Sequence, residues 1–211
     1  MYKLFWAPGS AGMAPHAALE EIGAPYELVL VDTGKGEHRR PEYLKLNPNA
    51  RVPTLVDGAH VMYESAGILL HLADKHREAG LAPPPGTPQR MAFCQWLMYL
   101  TNTVQEAYMQ VYHADYFASN DAARADVTAT AERRLERMWA MIDSGLATRG
   151  PYLTGESFSG ADLYLHMLSR WSRNSARPAW TWPQVAALVD RVKARPAVRR
   201  MMAQEGIDEP H

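Results

Sequence analysis

The chain has 211 residues, a formal net charge of -1 and a single cysteine, Cys94. So even a charge balance gives no electrostatic footprint for nucleic acid or an anionic membrane surface, and one cysteine excludes an intramolecular disulfide framework, pointing to a reducing, cytoplasmic compartment. No apolar run approaches the ~18 residues of a membrane span, the N-terminus lacks the basic region of a secretory leader, and the length suits one large domain or two small ones.

The pattern changes character near residue 80. YKLFWA (residues 2–7) is apolar and strand-like, and MAPHAALEEIG (13–23) has helical spacing, with Pro15 in its first turn and Gly23 as its stop. YELVLVD (26–32) again reads as a strand, and PEYLK (41–45) as a possible short helix. In VPTLVDGAHVMY (52–63), Asp57-Gly58 between two β-prone runs signals a tight antiparallel hairpin. ESAGILLHLADKH (64–76) follows, with Ala66, Ile68, Leu69, Leu72 and Ala73 at helical spacing. The order β-α-β then β-β-α predicts a small α/β unit over residues 1–78.

Residues 79–87 concentrate Gly and Pro and read as a linker. Over residues 88–211 the long segments are helical, so the second unit is expected to be a helical bundle. Phe93, Trp96, Leu97, Leu100, Val104, Tyr108 and Val111 make one apolar stripe, and Leu135, Met138, Trp139 and Ile142 make another. In SFSGADLYL (157–165), Ser159 is placed to cap a helix whose third residue, Asp162, reaches back to the Ser159 amide, while Phe158 can staple against Leu163. That pair reads as a structural cap. His71 and His76 are five apart, off any shared helical face, so no metal site is expected.

With this two-unit order, NPNARVPTLVDG, YESAGILLHLAD, SFSGADLYL and the closing WPQVAALVDRVKARPAVRRMM lie in the order and spacing of one family: the chain resembles the glutathione S-transferase superfamily. The resemblance implies a thioredoxin-like N-terminal domain with a mixed four-stranded sheet, followed by an all-helical C-terminal domain. Glutathione, the implied co-substrate, brings two carboxylates, an amine and a thiol. A site for it must pair with a peptide backbone, hold two charges and keep the thiol ionised near neutral pH.

By resemblance, Pro53 in Arg51-Val52-Pro53 is cis, so that the Val52 main chain bonds the ligand's cysteinyl residue as an added strand. Glu64 and Ser65, where a strand hands over to a helix, are the implied partners of the γ-glutamyl end. Lys35 and His38 are candidates for the glycyl carboxylate. For the thiol, the sequence has Trp6 where the bacterial class has a strand Tyr, Ala11 where that class has its Cys, and Ser10 in the place of the serine of Ser-type classes. The two alignments differ by one residue, which leaves the Ser10 hydroxyl or the main-chain amides, Ala11's included, as the group that activates the sulfur.

Met13, Gln105, Tyr108, Tyr112, Tyr116 and Trp171 are the candidates for lining an electrophile pocket between the domains, the 108, 112, 116 spacing placing three phenols on one helical face. The family resemblance also implies a homodimer. The expected activity is addition of the glutathione thiolate to a hydrophobic electrophile. A glutathione-dependent disulfide reductase or peroxidase, and a non-catalytic glutathione-fold binding protein, stand as alternatives.

Overall fold

The computed structural model describes residues 1–207. It divides into two compact units, one formed by Met1–Ala82 together with the segment that begins at Val192, the other by Pro83–Arg191. Among the described residues no helix is long and apolar enough to cross a membrane.

In the first unit, β1 (Tyr2–Trp6) buries Tyr2, Leu4 and Trp6 and exposes Lys3, the period-two signature of a strand with one face on the core. It lies between β2 (Tyr26–Leu30), which it pairs in parallel, and β3 (Thr54–Asp57), which it pairs antiparallel. The edge is completed by β4 (His60–Tyr63), antiparallel to β3, giving the sheet order β2-β1-β3-β4. This is the mixed four-stranded sheet expected from the sequence. The hairpin turn is displaced by one residue, however. Asp57 and His60 form the last pair, so the connection is Gly58-Ala59, with the left-handed φ of 61° falling on the residue that lacks a Cβ.

Two helices pack on each other beside the sheet. The first, α1 (Met13–Ile22), buries Met13 through Leu19 and stops where Gly23, at φ 70°, turns its N–H back to Leu19 O. After a 3-10 turn (Glu37–Arg39) and the short α2 (Pro41–Leu44), α3 (Ser65–Lys75) buries Ile68, Leu69 and Leu72. The last helix, α9 (Pro196–Gln204), also packs on α1. The sequence reading assigned this segment to the helical domain, because helical periodicity says nothing about which unit a helix joins. Two arginines tie it down: Arg195 grips the Glu21 carboxylate with two bonds of 2.5 and 2.9 Å, and Arg200 Nε bonds Glu20 at 2.5 Å.

The second unit opens with α4 (Pro88–Tyr99), whose Thr87 cap accepts the Arg90 N–H at 3.2 Å. A π-helical segment, Leu100–Gln105, joins it to α5 (Glu106–Tyr112). Trp96, Leu100, Val104 and Tyr108 are all buried although they recur every four residues. On a straight α-helix that spacing overshoots one turn by about 40° at each step. The wider π segment absorbs the drift and keeps the stripe on one face. Opposite it, α6 (Asp121–Arg149) buries Leu135, Met138, Trp139 and Ile142, and Trp139 Nε1 donates to the Tyr108 hydroxyl at 3.0 Å. Asp143 on α6 accepts the first amides of α8 (Pro183–Lys193), from Gln184 at 2.7 Å and Val185 at 3.1 Å.

At the centre runs α7 (Gly160–Trp171), buried along almost its whole length. Its start carries the expected cap. Asp162 Oδ2 accepts the Ser159 N–H at 2.7 Å and lies 3.1 Å from Ser159 Oγ, whose hydroxyl donates to it. Its other oxygen accepts the Leu153 N–H at 2.9 Å, a partner nine residues away that the local motif does not announce. Burial pushes the Asp162 carboxyl up to about 6, against these hydrogen bonds, which pull it down. Phe158 meets the Tyr152 ring edge-on at 5.9 Å.

Candidate active site

Between β1 and α1 the chain makes a tight turn. Ser10 N–H bonds Ala7 O at 3.2 Å, Met13 N–H bonds Ser10 O at 3.2 Å, and Gly9 takes a φ of 66°. The Ser10 side chain is half-buried and its Oγ accepts the Gly12 N–H at 3.1 Å. Accepting a bond polarises the hydroxyl and leaves its proton free to donate. The Gly12 amide is thereby engaged inside the turn, so of the two amides available for an anion only Ala11's remains. A Cβ placed on Gly12 would lie 3.2 Å from Ser10 Oγ, 3.3 Å from Trp6 Cβ and 3.7 Å from Pro53 Cβ. The turn therefore closes directly against Pro53, and residue 12 has no room for a side chain unless its neighbours shift.

The Val52-Pro53 bond is cis. Pairing of β3 with β1 begins only at Thr54, so the Val52 amide and carbonyl stand outside the ladder. Two residues that the sequence reading did not single out hold the preceding peptide. Tyr43 O–H donates to Arg51 O at 2.6 Å and sits 2.9 Å from Thr54 Oγ1, and Asn47 Nδ2 donates to the same carbonyl at 2.8 Å. Both are buried, while the Arg51 side chain is exposed. The only local signal for them was that Tyr43 and Asn47 lie just ahead of the Arg-Val-Pro stretch.

Glu64 adopts φ 74°, ψ 104°, a left-handed backbone that costs a non-glycine residue about 1–3 kcal/mol. Its side chain is exposed, and its conformation presents the buried Ser65 as the first residue of α3. The two candidates for the glycyl carboxylate differ in character. Lys35 is exposed and paired with Asp32 at 2.9 Å. His38 has its Nδ1 buried with no hydrogen-bond partner among the described residues, and burial, with Arg39 nearby, holds the ring below the usual histidine range.

The proposed aromatic lining does not form one face. Tyr108 is 1% exposed and belongs to the core, where burial pushes its phenol well up. α5 ends at Tyr112, which stacks on Tyr108 and donates to the Trp171 carbonyl. Tyr116 lies on a separate 3-10 turn (Ala114–Tyr116), exposed and stacked on His113 at 5.2 Å. The break at His113 ends the helical register that the spacing assumed. Gln105 Oε1 accepts from the Tyr164 hydroxyl, and Met13 is 1% exposed.

A further group reaches the turn from the far end of the chain: Glu205 Oε2 accepts the Gly9 N–H at 3.0 Å and Oε1 bonds His16 Nδ1 at 3.0 Å. A contact across nearly the whole sequence leaves no local pattern to read.

Residues 1–74 match the family model described as glutathione S-transferase, N-terminal domain, and residues 105–205 match the corresponding C-terminal domain model. The chain belongs to the glutathione S-transferase family. Among its relatives, the disulfide-bond oxidoreductase YfcG of Escherichia coli is 31% identical over 208 residues, covering 93% of this chain and 92% of that protein. Glutathione S-transferase GST-4.5 of Xanthomonas campestris is 26% identical over 206 residues, covering 98% and 100%. In structure, the chain superposes on a glutathione transferase homologue from Sulfitobacter, solved with bound glutathione, with a TM-score of 0.89 at 28% identity over 98% and 99% of the two chains.

Proposed function

We propose that this protein is a glutathione transferase that holds the sulfur of glutathione as the thiolate at the Ser10 turn and adds it to an electrophilic carbon. The observation that carries the reading is the closure of the Ser10 turn against the Val52-Pro53 segment, with 3.7 Å between a Gly12 Cβ position and Pro53. A cysteinyl residue paired with the free Val52 main chain has its side chain beside the Ser10 hydroxyl. The bound glutathione of the Sulfitobacter homologue is consistent with the same ligand here.

Magnitudes support a hydroxyl as sufficient. Lowering a thiol from about 8.5 to about 6.5 takes about 2.7 kcal/mol of thiolate stabilisation. One hydrogen bond to a charged acceptor supplies about 1.5–3 kcal/mol, and the amide end of a helix about 0.3–1 kcal/mol. Ser10 O–H with the Ala11 amide reaches that range. The thiol proton leaves to water, the thiolate attacks carbon to form the C–S bond, and either a leaving group departs or the resulting carbanion is protonated. Glu64 and Ser65 take the γ-glutamyl end, and Lys35 and His38 are the candidates for the glycyl carboxylate. A homodimer in the cytoplasm completes the reading.

A second reading draws on YfcG, a disulfide-bond oxidoreductase. Here the thiolate attacks a disulfide sulfur and one substrate thiolate is released, and a second glutathione thiolate attacks the glutathione sulfur of the mixed disulfide, releasing the other substrate thiolate and forming oxidised glutathione. Retention on immobilised glutathione with elution by free glutathione tests the site, and absence of binding refutes both readings. Conjugation of a chlorodinitroarene, set against turnover of a mixed glutathione disulfide, separates them.

A further inference from the structure

Glu205 follows α9 directly and is 5% exposed. Its two oxygens bridge the active-site turn and α1: one accepts the Gly9 N–H, the other bonds His16, and the Glu205 and His16 side chains are both fully shielded from solvent. The opposite ring nitrogen of His16 lies 2.6 Å from Gln204 Oε1 and 3.3 Å from the Tyr26 hydroxyl. Gln204 is itself held through its Nε2, which donates to Glu20 at 3.0 Å, and Glu20 is bonded by Arg200. The end of α9 thus forms a braced platform under the turn.

We infer that Glu205 is a positioning residue for thiolate formation: by holding the Gly9 amide it fixes the turn that aims the Ser10 hydroxyl at the glutathione sulfur. The inference rests on the proposed glutathione reading. Within the Ala7–Ser10 turn, Ser10 N–H bonds Ala7 O at 3.2 Å. With φ at 66°, Gly9 is a residue that visits many conformations when unrestrained. Its amide bond to the buried carboxylate is charge-assisted and shielded from water, hence the stronger restraint. Glu205 itself does not touch Ser10. Its effect passes through the Pro8-Gly9 peptide, and the His16 contact keeps the carboxylate from being buried without a partner.

The test compares Glu205→Leu, the double variant Glu205→Leu/His16→Phe, which leaves no polar ring orphaned if the single variant does not fold, and Glu205→Gln. Glutamine still offers Gly9 an acceptor oxygen and can donate its amide to the other imidazole tautomer. The readout is the apparent pKa of the bound glutathione thiol, from ultraviolet thiolate absorbance and from the pH profile of kcat/KM. Loss of the acceptor is expected to raise that pKa by about one unit, a tenfold smaller thiolate fraction below it, with KM for the electrophile unchanged and rates converging at high pH. Glu205→Gln is expected to stay close to wild type. A wild-type thiol pKa in the folded leucine variants, or a glutamine variant as impaired as they are, overturns the inference. Wild-type protein that fails to bind glutathione refutes the functional reading instead. Amide hydrogen exchange at residues 9–12 then still decides whether Glu205 holds the turn: faster exchange in the leucine variants supports it, unchanged exchange overturns it.

Discussion

Replacing Ser10 by Ala is the most direct test of how the sulfur is activated. The hydroxyl oxygen accepts the Gly12 N–H at 3.1 Å, so its proton is the group left to face a ligand. Removing a hydrogen bond to a charged acceptor costs about 1.5–3 kcal/mol, or roughly 1–2 units of thiol pKa. The turn partly compensates, because Ser10→Ala also releases the Gly12 amide, which can then donate to the sulfur itself. The expected rise is therefore at the lower end, about one unit, with kcat/KM for glutathione about fivefold lower near pH 6.5 and about tenfold lower well below it. Above the raised pKa the deficit disappears, since the thiolate then forms unaided. Ser10→Thr keeps the hydroxyl and is expected to retain most of the stabilisation. Ultraviolet titration of bound glutathione in the three proteins, alongside chlorodinitroarene conjugation at each pH, gives both quantities. A thiol pKa in Ser10→Ala equal to wild type, with glutathione still bound, would refute the reasoning and assign activation to the main-chain amides of the turn.

Asp162 gives a stability prediction with a definite sign. Its carboxyl is raised from 3.8 to about 6, so the folded state holds a proton that the unfolded chain has released. Its contribution is complete below the unfolded value and is lost as pH rises through 6, a fall of about 3 kcal/mol in unfolding free energy from this group. Urea unfolding across this range is expected to show that slope in wild type and not in Asp162→Asn; parallel pH dependences would contradict it. Tyr43→Phe removes the hydroxyl that donates to Arg51 O, while Asn47 keeps that carbonyl satisfied. Its stability cost is therefore about 1 kcal/mol, and KM for glutathione is expected to rise with kcat unchanged, as steady-state kinetics would register. Gly12→Ala forces a Cβ to 3.2 Å from Ser10 Oγ and 3.3 Å from Trp6 Cβ. It is expected to raise the thiol pKa as Ser10→Ala does, and a variant with the wild-type value would show that the turn yields without moving the hydroxyl.

Much of the local geometry of the candidate site was readable because it consists of main-chain features with local causes. Arg51-Val52-Pro53 and Glu64-Ser65 sit at strand ends, where proline and a helix start act on the backbone nearest them. The Ser159 and Asp162 cap was equally local, three residues apart on one turn. The reading of three phenols on one helical face failed for the opposite reason. It assumed that helical register continues through residue 116, and the chain leaves the helix at His113, so Tyr108 is core and Tyr116 is a surface ring.

The sequence by itself determined the elements and their order, since periodicity, caps and turn residues act over a few positions. It also marked the short stretches proposed to bind a peptide and a carboxylate. Only the tertiary structure decided that α9 joins the first unit, that Leu153 completes the Asp162 site, and that Glu205 and His16 meet under the Gly9 turn. These are choices among partners that are chemically alike and far apart along the chain. Burial and packing make them, because a carboxylate removed from water must find its donors wherever the fold has brought them.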